Sequence, residues 1–520
     1  MYKTYTGNLK RIYLAIIFGL CSLHSTYGQH IEENKVDELV EYVRKTFNVP
    51  GIAVGIVKDG KVILKKGYGV SSINTGKAVD PLTNFGIASN SKAFTATALA
   101  MLIDQGKIKW DDRVRTYIPE FKLYNDYVSE NFTIRDLLTH RSGLGLGAGD
   151  LMIWPDGNDF TPQDIIRNMQ YLKPVSDFRT KYDYDNLLYV IAGVVIEKVS
   201  GLSWASYIQQ HILTPLHMDH SAPNWHLLSS KDNSIDPHVP IDGKLQVIKR
   251  YSGTTVDAAG GIYSNVEDLT KWVLFQLNKG NYEGKQLIRK EQLAELSTPQ
   301  TLMPVATTPP YNSLFRAYGL GFRLTDVAGK LEVSHTGGLE GIVTQIVMLP
   351  QLQLGIIVLT NQQEGAAFMS ISNTIKDFYL GLPHKDWVAT YQSSITASTS
   401  SADKITDEVW KTIEKNKNSN PYENMLTGKF VDNWLGEVNI YKENGKLMFA
   451  SKRSPQLTGE LFFYKDQKYV VKWNNRYFHA DAFLNLDINQ QKVLGFKMNA
   501  ISPLTDFSYD FHDLAFKKVN

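Results

Sequence analysis

The chain is almost without cysteine, since Cys21 is its one thiol in 520 residues. That residue lies in an N-terminal stretch that reads as a removable secretory signal over residues 1–28. Lys3, Lys10 and Arg11 precede the apolar run from Ile12 to Leu23, and small and polar residues follow up to Gly28. Cleavage there would leave no disulfide framework, no thiolate metal site and no cysteine nucleophile. Leu20 stands where a lipoprotein signal wants a small residue, which argues against a lipid on Cys21. No second long apolar run follows, and a bilayer needs about 20 such residues, so no stable membrane insertion is expected once the signal is gone. The expected location is secreted or periplasmic, in a bacterium.

An excess of one charge is also missing. With 55 Lys+Arg against 53 Asp+Glu, a net charge of +2 and no long basic block, neither a nucleic-acid footprint nor a polybasic membrane patch is present. His217, His220, His226 and His238 crowd one region, but the spacing His-Glu-x-x-His is absent, so neither a metal nor another cofactor is expected.

What is there is an ordinary globular composition, 43% hydrophobic and 21% charged, in a chain long enough for at least two folded units. Gly51 to Gly69 reads as a β-hairpin turning at Asp59-Gly60. Apolar residues at helical spacing follow over Phe94–Gln105, Thr133–Leu138, Leu187–Val199, Trp204–Ile212 and Val266–Leu277. Strands return in KLEVSHTG, GIVTQIVMLP and LGIIVLTN. The pattern predicts an α/β unit over 29–385, with an antiparallel sheet built from N- and C-terminal strands and covered by a helical insert. Residues 386–415, including QSSITASTSSADK, read as a polar linker. Residues 416–520 alternate aromatic and β-branched positions with a turn at Asn444-Gly445, as a small antiparallel sheet or barrel does.

Ser89-Asn90-Ser91-Lys92 opens the alanine-rich run of the first predicted helix. Residues three apart on a helix share a face, so Lys92 can reach the Ser89 hydroxyl; burial would lower the lysine's pKa and make it a proton acceptor. Backbone N–H groups at a helix start can hold an oxyanion. The plainer reading is a capped helix start with a solvated lysine. Spacing alone decides nothing, because Ser401-Ala402-Asp403-Lys404 repeats it, although in the polar linker with no helix to hold it.

A second group is available in Tyr184-Asp185-Asn186: a phenol near an ammonium can serve as a base, and an amide can hold a substrate carbonyl. Tyr263-Ser264-Asn265 and Tyr422-Glu423-Asn424 are rivals, the first explained by a capping box of Ser264 with Glu267. The third element is His335-Thr336-Gly337-Gly338 at the end of a strand, where glycine lets backbone approach a ligand.

With these elements in this order, the chain from about Ile52 to Gln362 resembles the serine β-lactamase-like hydrolases of peptidase S12 type. These include class C β-lactamases, D-Ala-D-Ala carboxypeptidases, D-aminopeptidases and related esterases. IRDLLTHRSGL from Ile134, TPLHMD from Thr214, AAGGIYSNVEDLTKW from Ala258 and HTGGLEG from His335 are similar to landmarks of that family. The resemblance implies Ser89 as acylated nucleophile, Lys92 as its proton partner and Tyr184 as general base. It implies Asn186, His335, Thr336 and Gly337 as substrate-binding residues, and the N–H groups of Ser89 and Gly338 as the oxyanion hole. His335 departs from the lysine usual in β-lactamases and carboxypeptidases and is more like the peptidase and esterase branches. The tail from about Asn416 resembles a lipocalin-like β-domain. The implied function is acyl-enzyme hydrolysis of peptides, aminoacyl amides or esters. The alternatives are a class C β-lactamase, a D-Ala-D-Ala carboxypeptidase, or a silent binding protein of the same fold. The expected partner is a small molecule or short peptide, and homo-oligomerisation stays open.

Overall fold

A computed structural model describes residues 30–519, so the signal reading and Cys21 lie outside the described residues. The predicted hairpin forms from Gly51–Lys58 and Lys61–Gly69 and becomes one end of an eight-stranded antiparallel sheet. The sheet continues through Leu354–Thr360, Ile342–Leu349, Lys330–Leu339, Arg323–Val327, Arg316–Tyr318 and Thr301–Leu302. The N-terminal hairpin thus pairs with strands some three hundred residues later, as in Val54 opposite Val358.

Leu354–Thr360 is buried throughout because helices cover both faces of the sheet. Ile356 and Val358 point into the core beneath the helices Glu33–Thr46 and Gly365–Leu380, whereas Ile357 and Leu359 join the core of the helical insert. The helix Ser91–Asp104 lies inside the insert, buried from Ser91 to Leu102, and has no polar face to show. Two side chains tie it to the landmark from Ala258: Thr95 Oγ1 donates to Ala258 O at 2.6 Å, and Ser91 Oγ accepts from Ile262 N at 3.1 Å. The helix Val266–Leu277 starts on Asn265, whose side chain accepts from Asp268 N, so the expected capping box of Ser264 with Glu267 is not used.

The expected polar linker is instead a helix, Trp387–Lys415. Its two ends are anchored and its middle is not. Trp387 Nε1 donates to Asp377 Oδ2 at 2.7 Å and its ring stacks on Tyr391, while Val409, Ile413 and Trp410 pack on Phe462 and Val470 of the tail. The stretch between them faces mostly solvent, so nothing imposes a periodic apolar pattern on it.

The tail closes into an eight-stranded barrel, Gly428–Asp432 pairing with both Gly436–Glu443 and the last strand, Ala515–Val519. Phe430, Phe449, Trp473, Phe496 and Phe516 pack ring against ring in its interior. Between the last two strands the chain leaves the barrel over residues 501–514 and runs to the hydrolase-like body. There Gly147, at φ +70°, lies so close that a Cβ on it would meet Phe507 O at 2.6 Å. Among the described residues, no single helix is long and apolar enough to cross a membrane.

Candidate active site

The chain enters the central helix through a short turn, Ala88–Asn90, in which Ala88 holds φ +50°. A left-handed conformation at a residue with a side chain is strained, and here it falls on the position just before Ser89. Asn90 holds the N-cap position without a side-chain capping bond, and the Ser89 side chain does not serve as a cap either. Ser89 instead opens into a cleft of about 390 Å³ lined also by Tyr184, Asn186, Gly337 and Gly338. The capping interpretation of this stretch does not hold.

Lys92 is fully buried, and its ammonium donors are all engaged: Ser89 Oγ at 3.1 Å, Asn186 Oδ1 at 2.7 Å and Ala259 O at 2.9 Å. Burial pushes its pKa down to about 7, with Asp150 opposing and Arg323 assisting. At neutral pH a large share of Lys92 is therefore a free amine beside a serine hydroxyl. The other copy, Ser401 and Lys404, also sits on a helix, contrary to expectation, but both residues are exposed there. Burial separates the two copies; helix context does not.

Tyr184 stands beside the Ser89 hydroxyl, and Lys92 Nζ lies 4.8 Å from its ring centre. Burial raises the phenol's pKa far above its ordinary value, although Arg323 works against the rise. The expected lowering by a neighbouring ammonium is outweighed by burial. Tyr184 rests as a protonated phenol. Asn186 lines the cleft and has a structural duty as well. Its oxygen accepts from Lys92, and its Nδ2 donates to Asp150 Oδ2 at 2.7 Å, so it positions the lysine. His140 Nδ1 accepts from Asp185 N at 3.1 Å and fixes the turn that carries Tyr184 and Asn186.

His335 is not in the cleft. It is 2% exposed, with Nε2 2.9 Å from the Tyr318 hydroxyl and Nδ1 2.6 Å from Thr336 O. Burial, with Arg323 and Lys92, holds it well below the usual histidine range, so it is a neutral packing group. Strand parity explains the misplacement: successive side chains alternate, and Thr336 is the one that faces the cleft. Gly337 is needed where it is, because a Cβ there would meet Ile87 O at 2.2 Å and Thr344 Oγ1 at 2.4 Å. That close approach brings the strand edge, and with it Gly338, against the turn carrying Ser89.

Sequence reasoning missed three residues. Arg323, on the next strand, donates to Thr336 Oγ1 at 2.8 Å and lines the cleft; among the described residues it forms no ion pair. Asp150 is buried behind Asn186, with burial raising its pKa, and also accepts from Ser508 Oγ of the barrel loop at 2.9 Å. Ser508 lines the cleft together with Asp506, Phe507 and Tyr509 of that loop, and Tyr477 and Phe478 of the barrel. Three of the four crowded histidines go separate ways: His226 contacts Ser252 O, His238 is buried against Asn361 O, and His217 lies 3.8 Å from Glu283.

A serine at the buried start of a central helix, served by a lysine and facing a glycine-rich strand edge, places this chain in the class of β-lactamase-like folds. Residues 36–377 match the family model described as Beta-lactamase, and the chain belongs to that family. Residues 412–518 match a model described as Domain of unknown function (DUF3471), which covers the barrel. Protein flp of Staphylococcus aureus (strain COL) is 29% identical over 334 residues, covering 63% of this chain and 63% of flp. Unguisins hydrolase ungD of Aspergillus violaceofuscus is 26% identical over 372 residues, covering 67% of this chain and 65% of that protein. The chain thus spans less than two thirds of the length of either relative. The structure of the octameric penicillin-binding protein homologue from Pyrococcus abyssi shares the fold at TM-score 0.60 and 23% identity. It covers 94% of this chain and 100% of its own.

Proposed function

We propose that the protein is an exported serine hydrolase that forms an acyl-enzyme at Ser89 with short peptides, aminoacyl amides or esters. The observation that carries this reading is the buried Lys92 amine, 3.1 Å from Ser89 Oγ and titrating near 7. As Oγ attacks a carbonyl carbon, its proton passes to the neutral Lys92, and the carbonyl oxygen takes up negative charge against the N–H groups of Ser89 and Gly338. Collapse of the tetrahedral species needs a proton on the leaving atom, and the protonated Tyr184 phenol is the donor beside it. Lys92 then restores the phenol's proton. Water repeats the sequence on the acyl-enzyme, with Lys92 again as base. Hydrolase relatives of the same family support the reading.

A second reading, cleavage next to a terminal carboxylate as in carboxypeptidases and β-lactamases, is favoured by Arg323. Arg323 is a permanent cation in the cleft and, among the described residues, forms no ion pair.

A fluorophosphonate should modify Ser89 and leave Ser401 untouched, and Ser89→Ala should lower turnover on the order of 10⁴–10⁶-fold in a folded protein. An adduct elsewhere, or an active Ser89→Ala protein, overturns the proposal. Because Lys92 must be neutral to accept the proton, the rate of labelling should rise with pH through about 7 and then level off. A panel of D- and L-aminoacyl amides, D-Ala-D-Ala peptides, short esters and a chromogenic cephalosporin ranks the two readings.

A further inference from the structure

The cleft contains a second unpaired ionisable group, an acid where Arg323 is a base. Glu340 lines the same cleft as Ser89, yet its side chain is buried, with the residue 7% exposed. Its Oε1 has no hydrogen-bond partner, and among the described residues no basic side chain lies within ion-pair distance of its carboxylate. Its charged neighbours are Asp156 and Asp506, both acidic. Burial, then those two carboxylates, push its pKa up to about 8. An orphaned buried acceptor of this kind is costly, and the cost is recovered only when a donor arrives. Asp156 is already satisfied, since Oδ1 accepts from Gly253 N at 2.9 Å and Oδ2 from Ser252 Oγ at 3.3 Å. Asp506 sits exposed at the mouth, where its Oδ1 accepts from Ser508 N at 2.9 Å. Glu340 is the group left waiting.

Its place along the chain says which part of a substrate it meets. Gly338, whose N–H would hold the oxyanion, stands between the two groups in the chain: Thr336, bonded to Arg323, lies two residues before it on the strand, and Glu340 two residues after it, in the turn that leads to Ile342–Leu349. Both Arg323 and Glu340 line the one cleft that holds Ser89 and Gly338, within reach of groups flanking a scissile bond there. If Arg323 attends the leaving-group side, Glu340 attends the acyl side. Around it the barrel supplies Tyr477 and Tyr509 as cleft walls, aromatic surfaces suited to a cation.

We infer that Glu340 anchors the free amino group of the acyl donor, so that the site selects substrates whose acyl part carries an unblocked α- or β-ammonium. The inference rests on acylation at Ser89 and adds the chemical class of the acyl group. A bound ammonium supplies the missing donors and counter-charge together, and N-acetylation removes both.

The test uses the full chain and two pairs of boronic acids, the D- and L-forms of 1-aminoethylboronic acid and of its N-acetyl derivative. Ser89 Oγ donates an electron pair into the empty boron orbital, its proton goes to Lys92, and nothing leaves, so affinity reports binding without turnover. For at least one enantiomer the free amine should bind wild type at least about 10-fold more tightly than the acetylated form. In Glu340→Gln, which keeps the side-chain shape, that ratio should fall to about one. Equal affinity for the two forms in wild type overturns the inference and leaves the acyl-enzyme reading standing. A preference that survives Glu340→Gln overturns it as well. Absence of both boronate binding and fluorophosphonate labelling at Ser89 overturns the acyl-enzyme reading and this inference with it.

Discussion

The two cores of this molecule are built on opposite principles. The barrel buries ring against ring, and its buried carboxylate Asp432 is saturated by the N–H groups of Trp434, Leu435 and Ala515. The body places Lys92, Asp150 and Asp185 in its interior, where burial pushes each toward its neutral form, and leaves oxygens of Asp150, Asp185 and Glu340 without partners. The tail's own orphaned carboxylate oxygens, on Asp510 and Asp513, lie on the segment that leaves the barrel for the body and not in its ring-packed interior; unsatisfied polar groups of this kind mark where function overrides stability. The barrel's contribution to that site is also not its filled interior but the loop that leaves it, which brings Phe507, Ser508 and Tyr509 into the cleft.

Removing the barrel tests the comparison most severely. A chain ending at Lys415 keeps the helix whose Trp387 covers the body, but it loses Phe507, Ser508 and Tyr509, the bond from Gly149 N to Asp510 Oδ2, and the cover on Val409 and Ile413. The body should still fold, since its sheet is complete at Thr360. kcat/KM should drop by about 10²-fold, the scale of a misplaced catalytic group, and preference along a peptide length series should change. A truncated chain with wild-type ratios across that series would reduce the barrel to an appendage.

A smaller effect is expected at Arg323, on the body's side of the cleft. Arg323→Ala removes the permanent cation bonded to Thr336, so substrates bearing a carboxylate next to the scissile bond should lose about 10-fold to 10²-fold in kcat/KM. That is the range of a charged hydrogen bond of about 1.5–3 kcal/mol. Neutral esters should lose much less. Kinetics on matched acid and methyl-ester substrates read the difference, and an equal loss on both would mean that Arg323 only packs against Tyr182 and Tyr184.

How much of this was legible in the sequence follows from how each contact is made. Ser89 and Lys92 are three residues apart on one helix, so local spacing carried the pair, and Tyr184 with Asn186 was found by its own short pattern. Arg323 enters the site through strand pairing, Arg323 opposite Ser334, and no local pattern announces a register. His335 stands beside Thr336 among the expected substrate-binding residues because its chemistry is conspicuous, yet strand parity gives the cleft to Thr336. The connector was taken for coil because a helix held at its ends shows no apolar stripe in its middle. The hairpin at Asp59-Gly60, the late strands and the return to an all-β tail were all readable, since each is set by short-range alternation and turn chemistry.

The smallest expected effect is the one that asks whether the barrel loop takes part in the chemistry or merely covers it. Ser508 Oγ donates to Asp150 Oδ2, the same oxygen that accepts from Asn186 Nδ2, and Asn186 in turn holds Lys92. The serine's hydrogen bond favours the ionised form of Asp150, and a negative Asp150 raises the pKa of Lys92. Ser508→Ala therefore shifts Asp150 toward its neutral acid, removes part of the charge that supports the ammonium, and lets the Lys92 pKa fall. The pH limb of fluorophosphonate labelling, expected near 7 in wild type, should move to lower pH. With one hydrogen bond of about 1 kcal/mol lost, kcat should decrease only a few-fold, and Ser508→Thr should restore both quantities. If Ser508→Ala lowers kcat while the limb stays at its wild-type pH, the loop acts on the cleft's shape alone, and the path from barrel to lysine through Asp150 and Asn186 is wrong.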